Sequence, residues 1–366
     1  MNDANPRAAW LAQYDTVDYQ LGRKAGWDAF VNAAPRPRFE VLSRAQMAVL
    51  GEDARDDYDE ARRVWNANPP TIKTQQLTRA FEVLDQVMAS ARRDGDKLRG
   101  SAVIDAEPGL GKTTIATRYA RQVHRREYRR HGPYTPEGSQ RLPVAFIPLN
   151  AGATLKGINQ QILEFYGHPQ KDDHGPVRRP TRSTRSQLTE FAIDVVMTCQ
   201  TRMIIIDDLH FVDFRHRNGI EVSNHLKSLA NALPVTFVYV GVNLHAKRFF
   251  DEGLTGEQAV YAQTSRRATR CPVAPFSIEG DAGARAWSDL LSTLEKHLIL
   301  ADAEPGMLVS HAKELHRRTQ GRILSLSNLI DRAAHLAIKS GTETITQEIL
   351  ATALVDNAAQ HLTSPA

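Results

Sequence analysis

Nine residues, Ala106-Glu107-Pro108-Gly109-Leu110-Gly111-Lys112-Thr113-Thr114, constrain this chain more than any other feature. They follow the short apolar run Ser101–Asp105 and open a helical pattern, which is the context a phosphate-binding loop demands. Glycines let backbone N–H groups curl round phosphate oxygens without a clashing Cβ. The helix N-terminus adds partial positive charge. Lys112 is expected to reach the β- and γ-phosphates and the Thr113 hydroxyl to ligate Mg²⁺, with Glu107 to Thr114 wrapping the phosphates of ATP. The usual first glycine of such a loop is here Ala106, the smallest replacement.

Such a loop needs a second carboxylate to hold Mg²⁺ through water. Met203-Ile204-Ile205-Ile206-Asp207-Asp208 supplies one: four apolar residues, then acids at the C-terminal end of a strand. Ligands of open α/β sheets bind at that edge. Asp207 is therefore assigned to Mg²⁺, and Asp208 stands where a general base or water-orienting residue acts. The bland alternative, a strand running into an acidic turn, weakens once the loop upstream is counted.

Around these motifs the chain alternates strands and helices. Apolar runs at Ser101–Asp105, Val144–Leu149, Met203–Ile206 and Val235–Val240 are separated by helical patterns at Lys112–Arg130, Thr154–Tyr166, Gln187–Cys199 and Val222–Leu233. Buried strands alternating with helices predict an α/β fold with a parallel sheet. Loops are expected at 131–143 and 167–186, and no strand pattern follows Pro272–Ile278. A helix is expected over Thr74–Arg92. Residues 1–68 read as a charged helical extension carrying Trp10, Trp27 and Trp65, either a docking element or core packing. The spacing of Leu326, Leu329, Ile330, Ala333, Ala334 and Ala337 makes 283–366 a helical C-terminal domain. The expected division is thus 1–68, 69–282 and 283–366.

Composition excludes other classes. No apolar run reaches 18 residues, which argues against a membrane span, and the N-terminus lacks a charged n-region and an apolar h-region. Two isolated cysteines, Cys199 and Cys271, fit a reduced cytoplasmic interior better than a disulfide scaffold. A net charge of +4 is too small to demand a nucleic-acid partner.

The order of these segments resembles an AAA+ ATPase, and more narrowly the TniB/TnsC-type ATPases that regulate DNA transposition. Thr154-Leu155-Lys156-Gly157, Ile206-Asp207-Asp208-Leu209-His210, Leu226 to Asn231, Phe237 to Val242, Ala262 to Arg267, Pro275-Phe276 and Gly321-Arg322 carry the likeness, over roughly 65 to 355. The resemblance implies a P-loop AAA+ sheet flanked by helices, with a small C-terminal helical lid. It makes Arg267 an arginine finger reaching a neighbour's γ-phosphate, with Arg266 or Arg270 as alternatives. It makes Arg322 the lid's sensor arginine and Asn243 the polar sensor after its strand. Such ATPases usually carry Glu where this chain has Asp208, so slow hydrolysis is expected. His210 is read as structural, with water orientation as the rival.

The same resemblance implies assembly as a homo-oligomer, a ring or a filament, on double-stranded DNA. It also implies a transposase, and possibly a target-selection protein, as partner. It puts Thr154 and Lys156 near the DNA backbone. The basic loop with Arg178, Arg179, Arg182 and Arg185 is a further phosphate contact, Arg182 and Arg185 foremost. No base-reading motif is present, so binding should be sequence-independent and salt-sensitive. Arg118, Arg121, Arg125 and Arg129 share one arc of the helix after the loop, and we read them as its solvated face rather than a DNA surface. Two rivals remain: a P-loop switch acting on a protein partner, and an assembly module that uses ATP with little hydrolysis.

Overall fold

The computed structural model describes residues 14, 16–91, 93–94, 99–167, 184–251 and 267–356; the side chain of Arg185 is not described. Trp10, Arg178, Arg179, Arg182, Arg266 and the segment 262–265 lie outside the described residues. In chain order the helices and strands are α1 (Lys24–Asn32), α2 (Arg44–Ala48), α3 (Glu52–Ala67), α4 (Gln75–Ser90) and β1 (Ser101–Asp105). They continue with α5 (Lys112–His131), β2 (Val144–Pro148), α6 (Leu155–Phe165), α7 (Arg185–Thr198), β3 (Met203–Asp207), α8 (Arg217–Ala232) and β4 (Thr236–Gly241). The last are β5 (Ala268–Arg270), α9 (Gly280–Glu295), α10 (Ala312–Thr319), α11 (Ile323–Ser340) and α12 (Gln347–Thr352).

The strands form one parallel sheet in the order β2-β3-β4-β1-β5. Every residue of β3 and β4 is buried. That explains their unbroken apolar runs, since a sheet covered on both faces needs no polar alternation. All strands being parallel, their C-terminal ends line one edge. Asp105, Asp207 and Gly241 end β1, β3 and β4 there.

The four expected strands hold to within a residue or so, and the sheet has a fifth that no apolar run marked. The stretch Pro272–Ile278 is irregular, and Ala268–Arg270 pairs with β1 on the side away from β4, with Ser101 opposite Ala268. This edge strand is only three residues long and is largely exposed, so it lacks the apolar run that marks its neighbours. Helix α7 also starts earlier than the expected loop end at 186, because Thr184 and Gln187 form a capping box there.

The described residues fall into two compact units. One contains Tyr19–Ala33 and Gln76–Val273, with the sheet and its core. The other contains the described residues within Met1–Asp18, Ala34–Gln75 and Ala274–Ala366. These units cut the chain differently from the expected 1–68, 69–282 and 283–366. Within the sheet unit, α1 packs through Trp27, which is wholly buried, stacks on Phe146 and donates Nε1–H to His124 Nδ1 at 3.1 Å. Trp27 is thus core rather than a docking residue.

The second unit is helical. Its main core gathers Trp287, Leu291, Leu315, Leu326, Leu329 and Ala333. A smaller cluster forms round Tyr14, Phe39 and Tyr58, with Trp65 packed against it. Two fully buried charges, Arg62 and Glu343, pair at 2.6 and 2.7 Å, and Arg62 Nε also donates to Asp59 at 2.9 Å. Among the described residues, no helix is long and apolar enough to cross a membrane.

Candidate functional site

The loop between β1 and α5 takes its shape from two glycines. Gly109 and Gly111 have φ of 79° and 78°, in the left-handed region that side chains other than glycine rarely adopt. Ala106 is not among the residues with positive φ, so alanine is accommodated where other such loops carry glycine. Gly111 is the N-cap of α5, and Lys112 and Thr113 are its first two residues.

Lys112 is half-buried and donates Nζ–H to the Glu107 carbonyl at 2.7 Å. Burial pushes its pKa down, against the pull of Asp207, Asp105, Asp208 and Glu107. Thr113 Oγ1 donates to Asp207 Oδ2 at 2.8 Å, and the Asp208 backbone N–H donates to Asp207 Oδ1 at 2.9 Å. Asp207 is buried, and desolvation pushes its carboxyl pKa up despite these two hydrogen bonds. A desolvated carboxylate beside a threonine hydroxyl is a pair of hard oxygen donors suited to Mg²⁺. Among the described residues no group of three or more His, Cys, Asp or Glu side chains could hold a metal. Two protein oxygens with the remaining positions left to phosphate and water fit Mg²⁺ held through a nucleotide.

Asp208 lies at φ 56° and is about half exposed. Asp tolerates the left-handed region better than most residues, which gives a local reason for aspartate at this position. His210 Nδ1 is 3.7 Å from Asp208 Oδ1, beyond hydrogen-bonding distance. Asn243 also has a positive φ, 54°, and is exposed two residues past the end of β4. Since β4 lies between β3 and β1, this loop stands between Asp207 and the start of the phosphate-binding loop. The Asp105 carboxylate, which spacing alone did not single out, accepts from the backbone N–H groups of Leu244 and His245 at 3.0 and 3.3 Å. An acid ending an otherwise apolar strand was the available signal.

Arg267 sits at the other edge of the sheet. It immediately precedes β5, whose first residue pairs with Ser101, so β1 separates it from the phosphate-binding loop. At about 3.3 Å per residue that is roughly 16 Å, beyond the reach of its side chain. Its guanidinium donates to Asn231 Oδ1 at 2.7 Å. Arg270 instead lies over the Phe250 ring, 4.0 Å from its centroid. Arg322 is in the helical unit as the N-cap of α11. A Cβ on the preceding Gly321 would come within 2.0 Å of the Phe276 carbonyl, so only glycine fits there.

Of the residues expected near DNA, Thr154 and Lys156 are exposed at the start of α6, after the C-terminal end of β2. Thr154 Oγ1 caps that helix by accepting from Gly157 N at 3.1 Å. Arg185 begins α7 rather than lying in a loop. The solvated-face expectation for the α5 arginines needs correction. Arg121 donates to the Val31 and Ala33 carbonyls at 3.1 and 2.6 Å, and Arg125 to Val31 at 2.9 and 2.5 Å. Arg118 and Arg121 also lie over the Phe30 ring. They hold the C-terminal end of α1, whose last carbonyls lack intrahelical partners. Arg129 alone among the four is exposed without such a contact in α1.

The fold is a P-loop AAA fold, a parallel sheet flanked by helices. Residues 94–249 match the family model described as AAA domain. The chain is similar to the structure of the Aeropyrum pernix ORC1 protein in complex with DNA, at 19% identity over 81% of this chain and 68% of that one, with a TM-score of 0.55. It is also similar to a Walker-type ATPase of Pyrococcus abyssi, at 11% identity over 76% and 72% of the two chains, with a TM-score of 0.47. No curated protein matches the chain.

Proposed function

We propose that the protein is an ATP- and Mg²⁺-dependent ATPase that assembles on double-stranded DNA as a homo-oligomer and regulates transposition by recruiting or activating a transposase. In this reading Lys112 and the loop from Glu107 to Thr114 bind the phosphates, Thr113 and Asp207 hold Mg²⁺, and Asp208 orients the attacking water. Arg267 completes a neighbour's site, where an arginine stabilises charge on the transferring phosphoryl group. Asn243 and Arg322 sense the nucleotide.

The observation that carries the assembly is the position of Arg267. A strand's length separates it from its own phosphate-binding loop, which supports a role at a second copy's site rather than its own. The DNA part is supported by the likeness to a fold seen bound to DNA and by the exposure of Lys156 beside the α6 cap. The transposition part is supported by the ordered segments of the sequence.

Sedimentation with duplex DNA tests this directly, comparing no nucleotide, ADP and a non-hydrolysable ATP analogue. Large DNA-bound assemblies only with the ATP analogue, lost in Arg267→Ala, are expected. No DNA dependence in any nucleotide state would instead favour a switch acting on a protein partner. The shorter carboxylate and left-handed backbone of Asp208 favour slow turnover, which keeps open an assembly module with little hydrolysis. Turnover above a Lys112→Ala control dismisses that second reading.

A further inference from the structure

Asp105 ends β1 at the point where the chain enters the phosphate-binding loop, yet its carboxylate serves a different loop. Both oxygens accept backbone N–H groups from the turn after β4: Oδ1 from Leu244 at 3.0 Å and Oδ2 from His245 at 3.3 Å. The same turn is fixed in two other ways. Gly241 packs so tightly that a Cβ there would come within 2.6 Å of Leu244 Cδ2. The Ala106 N–H donates to the Gly241 carbonyl at 3.4 Å, continuing the β1–β4 ladder into the phosphate-binding loop. Between these anchors Asn243 is held at φ 54°. Asparagine is one of the few non-glycine residues that adopt this conformation, and the anchors on either side hold it there.

We infer that Asp105 is a positioning residue, a latch that keeps the loop bearing Asn243 in register with the loop bearing Lys112. The inference rests on the ATPase reading above and adds to it a residue that touches neither phosphate nor metal. A carboxylate receiving two N–H bonds is a strong acceptor, and one group thereby joins the loops that follow the neighbouring strands β1 and β4. Removing it strands two amide donors and frees Asn243 to leave its left-handed conformation. Because Lys112, Thr113 and Asp207 do not depend on Asp105 for a hydrogen bond, nucleotide binding should survive. A turn cap with a purely structural role would lower stability without separating turnover from binding.

The test compares wild type, Asp105→Ala, Asp105→Asn and Lys112→Ala by steady-state ATPase assay, nucleotide binding and hydrogen exchange. The expected result for Asp105→Ala is a kcat lower by about tenfold or more, since small misplacements cost large factors, with nucleotide affinity held within about threefold. Exchange over residues 242–247 should quicken. Asp105→Asn keeps one acceptor oxygen and should fall between. Wild-type kcat in Asp105→Ala, or kcat and affinity falling together, overturns the latch. If Asp105→Ala does not fold, Asp105→Asn decides: reduced kcat at unchanged affinity supports the latch, and wild-type kcat removes it. If wild type shows no turnover above Lys112→Ala, the ATPase reading has failed separately. The latch then stands or falls on whether ATP slows exchange at Leu244 and His245 in wild type but not in Asp105→Ala.

Discussion

Helix α5 begins with Lys112 and Thr113 and carries Arg118, Arg121 and Arg125 farther along, and the two stretches use charge in different ways. At its start, Lys112 rests on a loop carbonyl and Thr113 on Asp207, contacts that an incoming phosphate and metal can replace. Burial disfavours the charged forms of both Lys112 and Asp207, so both gain from a ligand that neutralises them. Farther along, Arg121 and Arg125 are committed to the last carbonyls of α1, and Arg118 to the Phe30 ring. Regular arginine spacing is thus compatible with a purely internal role. The ligand-binding end also carries left-handed backbone at Gly109, Gly111, Asp208 and Asn243. Glycine adopts that conformation freely, so the residues there that need their surroundings to fix them are Asp208 and Asn243.

The largest test of the internal role is Trp27→Ala. Trp27 is fully buried, and its truncation should cost about 4 kcal/mol, the range for a large core aromatic. Chemical denaturation measures this. A loss below about 1 kcal/mol would mean that α1 is not part of the core and would break the comparison. Next comes Lys112→Ala, which should weaken ATP binding or turnover by about 100-fold while leaving the denaturation midpoint near wild type. A variant that loses stability but not nucleotide would reverse the roles of the two stretches.

His124 sharpens the contrast through pH. Burial lowers its pKa to about 4, and its Nδ1 accepts the Trp27 N–H, so it is neutral in the folded state. The unfolded value is about 6.5, so the unfolded chain takes up the proton first as pH falls. Its contribution is therefore complete above about pH 6.5 and declines as pH drops towards about 4. Between about pH 7.5 and about pH 5 the expected loss is about 2 kcal/mol. His124→Gln, which can still accept from Trp27 but cannot become charged near neutrality, should flatten that slope. An unchanged slope would show that the imidazole is accessible to protons when folded.

Much of this was legible in the sequence, for reasons that differ by region. The strands of the sheet read clearly because burial on both faces leaves unbroken apolar runs such as Met203–Ile206. The loop Glu107–Thr114 read clearly because its chemistry restricts residue types at fixed spacing. β5 did not, since an exposed edge strand of three residues carries no pattern. The membership of residues 19–33 in the sheet unit was hidden as well. Trp27 meets His124 and Phe146 across 97 and 119 positions of sequence, and no local periodicity encodes such pairings. Asp105 was passed over because its partners are backbone amides 139 and 140 residues away.

The smallest expected effect separates the two uses of arginine most finely. Arg125 is exposed and spends its guanidinium on one carbonyl, so Arg125→Ala should lower stability by about 1 kcal/mol. A phosphate-binding arginine would behave differently, since each such contact adds about one to the slope of log affinity against log salt. DNA affinity of Arg125→Ala, measured over a salt series beside Lys156→Ala, should keep the wild-type slope, whereas Lys156→Ala should reduce it. A shallower slope for Arg125→Ala would place α5 against DNA and show that its arginines leave α1 when the assembly forms.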